Sequence, residues 1–260
     1  DDGNPTQSSE INMSGVLYGL GLGPGDPDLV TIKAAAVLAA VQVIAYVCPL
    51  REGVAAASFA RAIAGPHLAG EKIEISIPSA MLDDPEPGQR AYDQAALEIA
   101  EHLQAGRDVA VLCEGDPLLY GSFMYVLERL KGSAEIITVP GVSALGAAAA
   151  AANLPLVSRQ QSLALVPGTL PEAEIKSRIQ VADAAAVYKV GRNMTKVRRV
   201  LEQLGRLDGS FYIERASLPE SIAPDEVTVA GAMQLLQEER LGDRLLGADP
   251  ATEQPIYLKT

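Results

Sequence analysis

Gly19-Leu20-Gly21-Leu22-Gly23-Pro24-Gly25-Asp26-Pro27 ends a short apolar run, Val16 to Leu22, and precedes a helical pattern from about Thr31 to Ala40. A glycine-rich turn after a strand and before a helix lets backbone approach a ligand at the carboxyl edge of a sheet. A dinucleotide site needs G-x-G-x-x-G and an acidic residue closing the second strand for the ribose. Here Asp26 falls where a pyrophosphate needs bare amides, and the second strand ends in Val47-Cys48-Pro49. No G-K-[ST] follows, which removes a P-loop. Taken by itself, the turn also has a purely structural reading.

Outward from this turn, strand and helix patterns alternate to the C-terminus. Strands are expected at Val41 to Val47, Lys72 to Ile77, Val109 to Leu112 and Ile136 to Val139, and a loop around Asp83 to Gly88. The run at Val109 is continuously apolar, as a strand inside a parallel sheet is. One helix places Leu97, Ala100 and Leu103 on a face and closes at Gly106; the next carries Phe123, Val126, Leu127 and Leu130 and stops at Gly132. Ser143 is placed to cap a nearly all-alanine helix, Ala144 to Ala152, whose small side chains suit either close approach of a flat ligand or tight packing.

The pattern restarts after Leu154-Pro155. Strands are read at Ser162 to Val166, Ala185 to Val190, Phe211 to Ile213, Glu226 to Val229 and Ile256 to Leu258. Helices fall near Glu172 to Ile179, over Met194, Val197, Leu201 and Leu204, and at Ala232 to Glu238. Alternation of this kind predicts an α/β fold in two α/β domains, with a loose polar tail over 1–13, a first domain over 14–154 and a second over 155–260.

Composition narrows the function classes. The 260 residues are 48% hydrophobic and 21% charged, enough to bury a core. With 33 acidic against 21 basic residues, net -12, the surface repels phosphate backbones and anionic lipid, so neither nucleic acid nor a membrane is an expected partner. No Trp and 3 Phe leave little for a base-stacking platform. Cys48 and Cys113 lie far apart at the ends of apolar runs and read as reduced core thiols. His67 and His102 stand alone, so no protein-bound metal is expected. The tail lacks the basic-then-apolar order of a secretory signal, and the alanine-rich segments are broken before membrane-spanning length. A soluble, cytoplasmic protein is the expectation.

Three further motifs join strand ends to helices: Glu114-Gly115-Asp116-Pro117-Leu118-Leu119-Tyr120-Gly121-Ser122, Val139-Pro140-Gly141-Val142-Ser143-Ala144 and Tyr188-Lys189-Val190-Gly191-Arg192-Asn193. Two carboxylates at a strand's carboxyl end suit a cation, ribose hydroxyls or an ammonium; Asp116 and Ser122 also read as turn and helix caps. Asn193 reads as an N-cap and Arg192 as a solvated charge.

Together, in this order, the G-x-G-P-G-D-P, E-G-D-P-L and V-P-G-V-S-A blocks resemble the tetrapyrrole methylase family, over essentially everything from Gly15 onward. Cys113 to Met124, Val166 to Pro171, Lys189 to Asn193 and Tyr212 to Ala216 look closest to its precorrin-2 carbon-20 methyltransferase branch. Glu114 stands where the uroporphyrinogen methylases usually have a second glycine. The resemblance implies two α/β domains with a ligand cleft between them, S-adenosylmethionine as methyl donor, a tetrapyrrole substrate and a homodimer. Matched motif to motif, donor contacts fall on Pro24, Glu114, Gly115, Asp116, Leu119, Ser143, Ala144, Val190 and Ala216. Tyr120 and Glu214 are candidate bases for the proton that leaves a methylated ring carbon. A carboxylate-rich macrocycle against net -12 calls for a local basic rim, for which Arg192, Lys189 and Arg215 are candidates. The expected function is methylation of carbon 20 of precorrin-2 or cobalt-precorrin-2 in cobalamin biosynthesis. The alternatives are another ring-carbon methylase of the family, a nucleotide-dependent oxidoreductase and a non-catalytic tetrapyrrole-binding protein.

Overall fold

The computed structural model describes residues 14–51, 53–79, 86–213, 216–218 and 256–259. The expected strand at Glu226 to Val229 and helix at Ala232 to Glu238 lie outside these residues, as does the expected tail over 1–13. The chain divides into two compact units, one of residues 1–22 with 30–141, the other of 23–29 with 142–260. The division at 141/142 gives the alanine helix to the second unit, whereas the sequence reading set the seam at 154/155.

In chain order the first unit holds β1 (Val16–Gly21), α1 (Ile32–Ala40), β2 (Val43–Arg51), β3 (Val54–Ala55), α2 (Phe59–Ala64), β4 (Ile73–Ser79), α3 (Glu86–Gln104), β5 (Val109–Cys113), α4 (Phe123–Leu130) and β6 (Glu135–Val139). Five strands pair in parallel in the order β4-β2-β5-β1-β6, and the short β3 pairs antiparallel with the end of β2. β5 runs between β1 and β2 with all five residues buried, which its unbroken apolar run requires.

Alternate side chains of the strands feed two cores. Leu17, Val43, Ala45, Val109 and Val111 pack on one face with Ile99 and Leu103 of α3 and Phe123 and Val126 of α4. Leu20, Ile44, Ala110 and Leu112 pack on the other with Ala34 and Leu38 of α1 and Ile63 of α2. Gly19 has no side chain because the Phe123 ring lies against its Cα. From β1 the chain moves to β2 and on to β4 through α1 and α2, then returns to β5 and over β1 to β6 through α3 and α4. The connections after β1 and β5 thus leave in opposite directions, and the carboxyl ends of these neighbours form the topological switch point where α/β sheets bind ligands.

The second unit contains the segment Gly23–Leu29 and α5 (Ala144–Ala152), β7 (Leu163–Pro167), α6 (Glu172–Gln180), β8 (Ala184–Tyr188), α7 (Met194–Gln203), β9 (Ser210–Tyr212) and β10 (Ile256–Lys259). Its sheet runs β7-β8-β10-β9, parallel between β7 and β8 and antiparallel on both sides of β10. Val166, Ile175, Ile179, Val187, Val197 and Leu201 form its core. Arg206 Nη1 donates to the Ile179 and Ala182 carbonyls at 2.9 and 3.0 Å, closing the end of α6.

Several elements differ from the sequence reading. β2 begins at Val43, since Val41 is the buried C-cap of α1, and it continues through Pro49. α3 starts at Glu86, inside the segment expected to be a loop; Pro87 is tolerated in a first turn, where no intrahelical donor is lost. On α3 the buried stripe is Tyr92, Ala95, Ala96, Ile99 and Leu103; of the expected face Leu103 is buried and Ala100 packs on the core, but Leu97 is 63% exposed. β3 and α2, capped by Ser58 through the Arg61 amide, were not anticipated, being too short to show a period. β8 stops at Tyr188 because Lys189 takes a left-handed φ of 56°.

Candidate functional site

At the carboxyl edge of the first unit, three strand ends converge with almost no side chain between them. A Cβ built on Gly21 would lie 2.8 Å from the Gly115 carbonyl oxygen, and one built on Gly141 would collide with that same oxygen. All the obstructing atoms are main chain, so glycine is required at both positions. Gly115 itself has φ 63°, turning the chain sharply off β5. Leu22 N–H donates to the Cys113 carbonyl at 2.9 Å, extending the β1–β5 ladder to the turn.

Asp116 ties this edge together. Its Oδ1 accepts from Leu118 N–H at 2.9 Å and its Oδ2 from Gly141 N–H at 3.1 Å. The loop closes on itself at Gly121, where a Cβ would sit 2.8 Å from the Asp116 carbonyl oxygen. Glu114 and Leu119 are half-buried, Leu118 exposed, and Tyr120, 40% exposed with φ 58°, stands at the tip. Non-glycine residues in the left-handed region are uncommon and gather at functional loops.

Ser122 does not cap α4; its hydroxyl lies 3.6 Å from Cys113 Sγ and bonds the phenol of buried Tyr92. Burial pushes the Cys113 thiol up to about 11, so it is a protonated core group and not a nucleophile. Cys48 and Cys113 are both free and buried. Among the described residues no group of three or more His, Cys, Asp and Glu is placed to hold a metal, and no helix is long and apolar enough to cross a membrane.

Within the second unit, Pro24 is buried and the adjoining turn is built on Asp26. Asp26 Oδ1 accepts from Asp28 N–H at 2.9 Å, and Asp26 N–H donates to Ser217 Oγ at 3.1 Å. Ser143 caps α5 as expected, its hydroxyl accepting from Gly146 N–H at 3.3 Å, and Ala144 opens the helix. The alanine helix packs closely on one side and lines a groove on another. Ala147 and Ala148 pack against Ile213 and fully buried Ala216. Ala147, Ala150 and Ala151 also wall a groove of about 550 Å³ among the described residues, opposite Asp26, Pro27 and Ser217.

At the end of β8, Gly168 N–H donates to the Tyr188 carbonyl at 2.6 Å, and a Cβ there would crowd the Tyr188 and Lys189 carbonyls at 3.1 Å each. Lys189 and Arg192 are exposed, and Val190 is buried between them. Asn193 does not cap α7; its side-chain amide donates to the Lys189 carbonyl at 3.4 Å.

The first unit thus brings together Glu114, Gly115, Asp116, Leu119 and Tyr120 on one loop. The second contains Pro24, Ser143, Ala144, Lys189, Val190, Arg192 and Ala216 on the ends of four segments. Glu214 and Arg215 lie outside the described residues. The alanine helix is marked by its sequence, but its partner Ser217 across the groove is not; a lone serine near residue 217 carries no sequence signal.

A group with an adenine, ribose hydroxyls, an ammonium and a carboxylate fits residues of this kind. The main chain around Gly115 is buried and packed on Gly21 and Gly141, while the half-buried Glu114 carboxylate beside it is an acceptor of the kind that ribose hydroxyls or an ammonium require.

The chain matches the family model "Tetrapyrrole (Corrin/Porphyrin) Methylases" over residues 16–228. It is 44% identical over 215 residues to "Cobalamin biosynthesis protein CobIJ" of Mycobacterium tuberculosis, covering 80% of this chain but 42% of that relative. It is 38% identical over 216 residues to "Precorrin-2 C(20)-methyltransferase" of Sinorhizobium sp, covering 79% of this chain and 87% of that one. The solved uroporphyrin-III C-methyltransferase of Thermus thermophilus, complexed with S-adenosyl homocysteine, matches with TM-score 0.59 at 22% identity, over 94% of this chain and 96% of that one. Fold, glycine-lined strand ends and sequence agree: the chain belongs to the tetrapyrrole (corrin/porphyrin) methylases.

Proposed function

We propose that this chain is an S-adenosylmethionine-dependent methyltransferase that methylates carbon 20 of precorrin-2, or of cobalt-precorrin-2, in cobalamin biosynthesis. The observation that carries the reading is the 38% identity to a relative named for that reaction, across 87% of its length. The chain spans 42% of the length of the CobIJ relative, so the likeness there speaks for one part of that protein.

When bound, the donor supplies an electrophilic methyl group and a neutral thioether leaving group. The chain's task is then alignment and exclusion of water. In the first unit the donor contacts assigned are Glu114, Gly115 and Leu119, on the loop that also carries Asp116; in the second they are Pro24, Ser143, Ala144, Val190 and Ala216. Support for the first set is the place of this loop at the carboxyl ends of β5 and β1, the switch point of the sheet. Exposed Lys189 and Arg192, with Arg215, pair with the carboxylates of the macrocycle, offsetting the net -12 of the chain. Tyr120, held at a loop tip with φ 58°, or Glu214 takes the proton that the methylated carbon releases. The enzyme works as a homodimer in the cytoplasm.

The test is anaerobic incubation of the chain with precorrin-2 and isotopically labelled donor, followed by mass spectrometry of the macrocycle. Gain of one labelled methyl is expected, with the cobalt complex run in parallel to fix the natural substrate. Tight binding of macrocycle without transfer would leave a tetrapyrrole-binding protein instead.

A further inference from the structure

We propose that Asp116 serves donor binding as a positioning residue, tethering the loop after β6 to the loop after β5 through the Gly141 amide, and not as a donor contact. The inference rests on the methyltransferase reading above and reassigns one residue within it.

The strand ends at Gly21, Gly115 and Gly141 approach so closely that no side chain fits between them. Packing contacts between side chains, the usual means of fixing loops, are therefore missing at this junction. The carboxylate of Asp116, one residue beyond Gly115, supplies the tether. Its Oδ2 accepts from Gly141, 25 residues further along the chain, at 3.1 Å. Its Oδ1 accepts from Leu118 at 2.9 Å, which fixes the plane of the carboxylate. A carboxylate is acceptor-only on both oxygens, so it satisfies two amides at once; an asparagine would aim an N–H at one of them. Hydrogen bonds to an ionised acceptor are also the stronger kind. The far end of the loop is independently closed, by Gly121 against the Asp116 carbonyl and by the Tyr92–Ser122 hydrogen bond. The base of the loop, at the switch point of the sheet, thus depends on Asp116.

The experiment compares wild type with Asp116→Asn and Asp116→Ala in the full chain. Calorimetry measures binding of three probes: S-adenosylmethionine, S-adenosylhomocysteine, which lacks the sulfonium, and methylthioadenosine, which lacks the whole amino-acid moiety. Amide hydrogen exchange and the NMR resonance of Gly141 are read without ligand. A tether predicts that Asp116→Asn weakens all three probes by a similar factor, roughly tenfold, and that Gly141 exchanges faster by a comparable factor in the unliganded protein. Asp116→Ala should show the same pattern more strongly; if it fails to fold, Asp116→Asn decides. A loss confined to the probes that carry an ammonium or sulfonium would overturn the proposal, as would unchanged affinity or an unchanged Gly141 amide. A wild-type chain that binds none of the three would sink the methyltransferase reading, while the Gly141 amide still decides whether the carboxylate holds the loop.

Discussion

One methyl group at the convergence of the strand ends tests the site most simply. In Gly141→Ala the new Cβ collides with the Gly115 carbonyl oxygen and lies 2.8 Å from Gly21 Cα and C. Ordinary contact begins near 3.4 Å, so the main chain must separate by more than half an ångström at a junction made only of main chain. No side chain can rotate out of the way. Overpacking of a rigid site costs about 1–3 kcal/mol, and separation also stretches the 3.1 Å bond from Gly141 N–H to Asp116. Gly88→Ala in α3 is the matched control: its Cβ would meet nothing within 4 Å, so alanine's better helix propensity should leave it neutral or more stable by up to about 1 kcal/mol. Thermal unfolding reads the difference at about 2–4 °C for each kcal/mol in a chain of this size class. Calorimetry with S-adenosylhomocysteine should show weakened binding for Gly141→Ala alone. Wild-type melting and affinity in Gly141→Ala would refute the claim that these strand ends are packed main chain on main chain.

Three other outcomes are expected. Phe123 is fully buried with its ring on Gly19, and Phe123→Ala should cost about 3–5 kcal/mol of stability in urea unfolding. Glu74 accepts from a forked Arg61, which chiefly holds its carboxyl below the ordinary range, and from the Tyr46 hydroxyl, which adds to this; that contribution is present above the unfolded pKa and is lost as pH falls through the folded one. Glu74→Gln should therefore cost about 0.5–1 kcal/mol at pH 7 for this half-exposed cluster and flatten the acid limb of the stability profile. It should also bring the Tyr46 phenol down from about 12, a shift read by ultraviolet titration against Tyr46→Phe. Lys189→Gly relieves a left-handed backbone and should raise stability by up to about 1 kcal/mol while weakening binding of the carboxylate-rich substrate; unchanged substrate binding would contradict the rim assignment.

Much of the fold was legible because its signals are local and periodic. The continuous apolar run at Val109 marked the central parallel strand, and the spacing of Phe123, Val126 and Leu130 marked the helix that packs on Gly19. Ser143 announced its own helix by chemistry. Short elements such as β3 and α2 escaped because two or six residues cannot establish a period. Leu97 was misplaced since hydrophobicity alone does not choose between two adjacent stripes of a 19-residue helix; the bulk of Tyr92 and Ile99 chose it. At the site, the glycines and acids could be found by motif. Their partners could not: that Asp116 spends both oxygens on main-chain amides, and that Asp26 meets Ser217 across 191 residues, depends on tertiary contacts which no spacing encodes.

Where the methyl group goes decides the proposed function most directly. Precorrin-2, incubated anaerobically with the wild-type chain and donor carrying a carbon-13 methyl, should yield a macrocycle whose new carbon-13 resonance correlates with carbon 20 and with no other ring carbon. Label on a different ring carbon, or a macrocycle recovered without label alongside donor that binds normally, would contradict it.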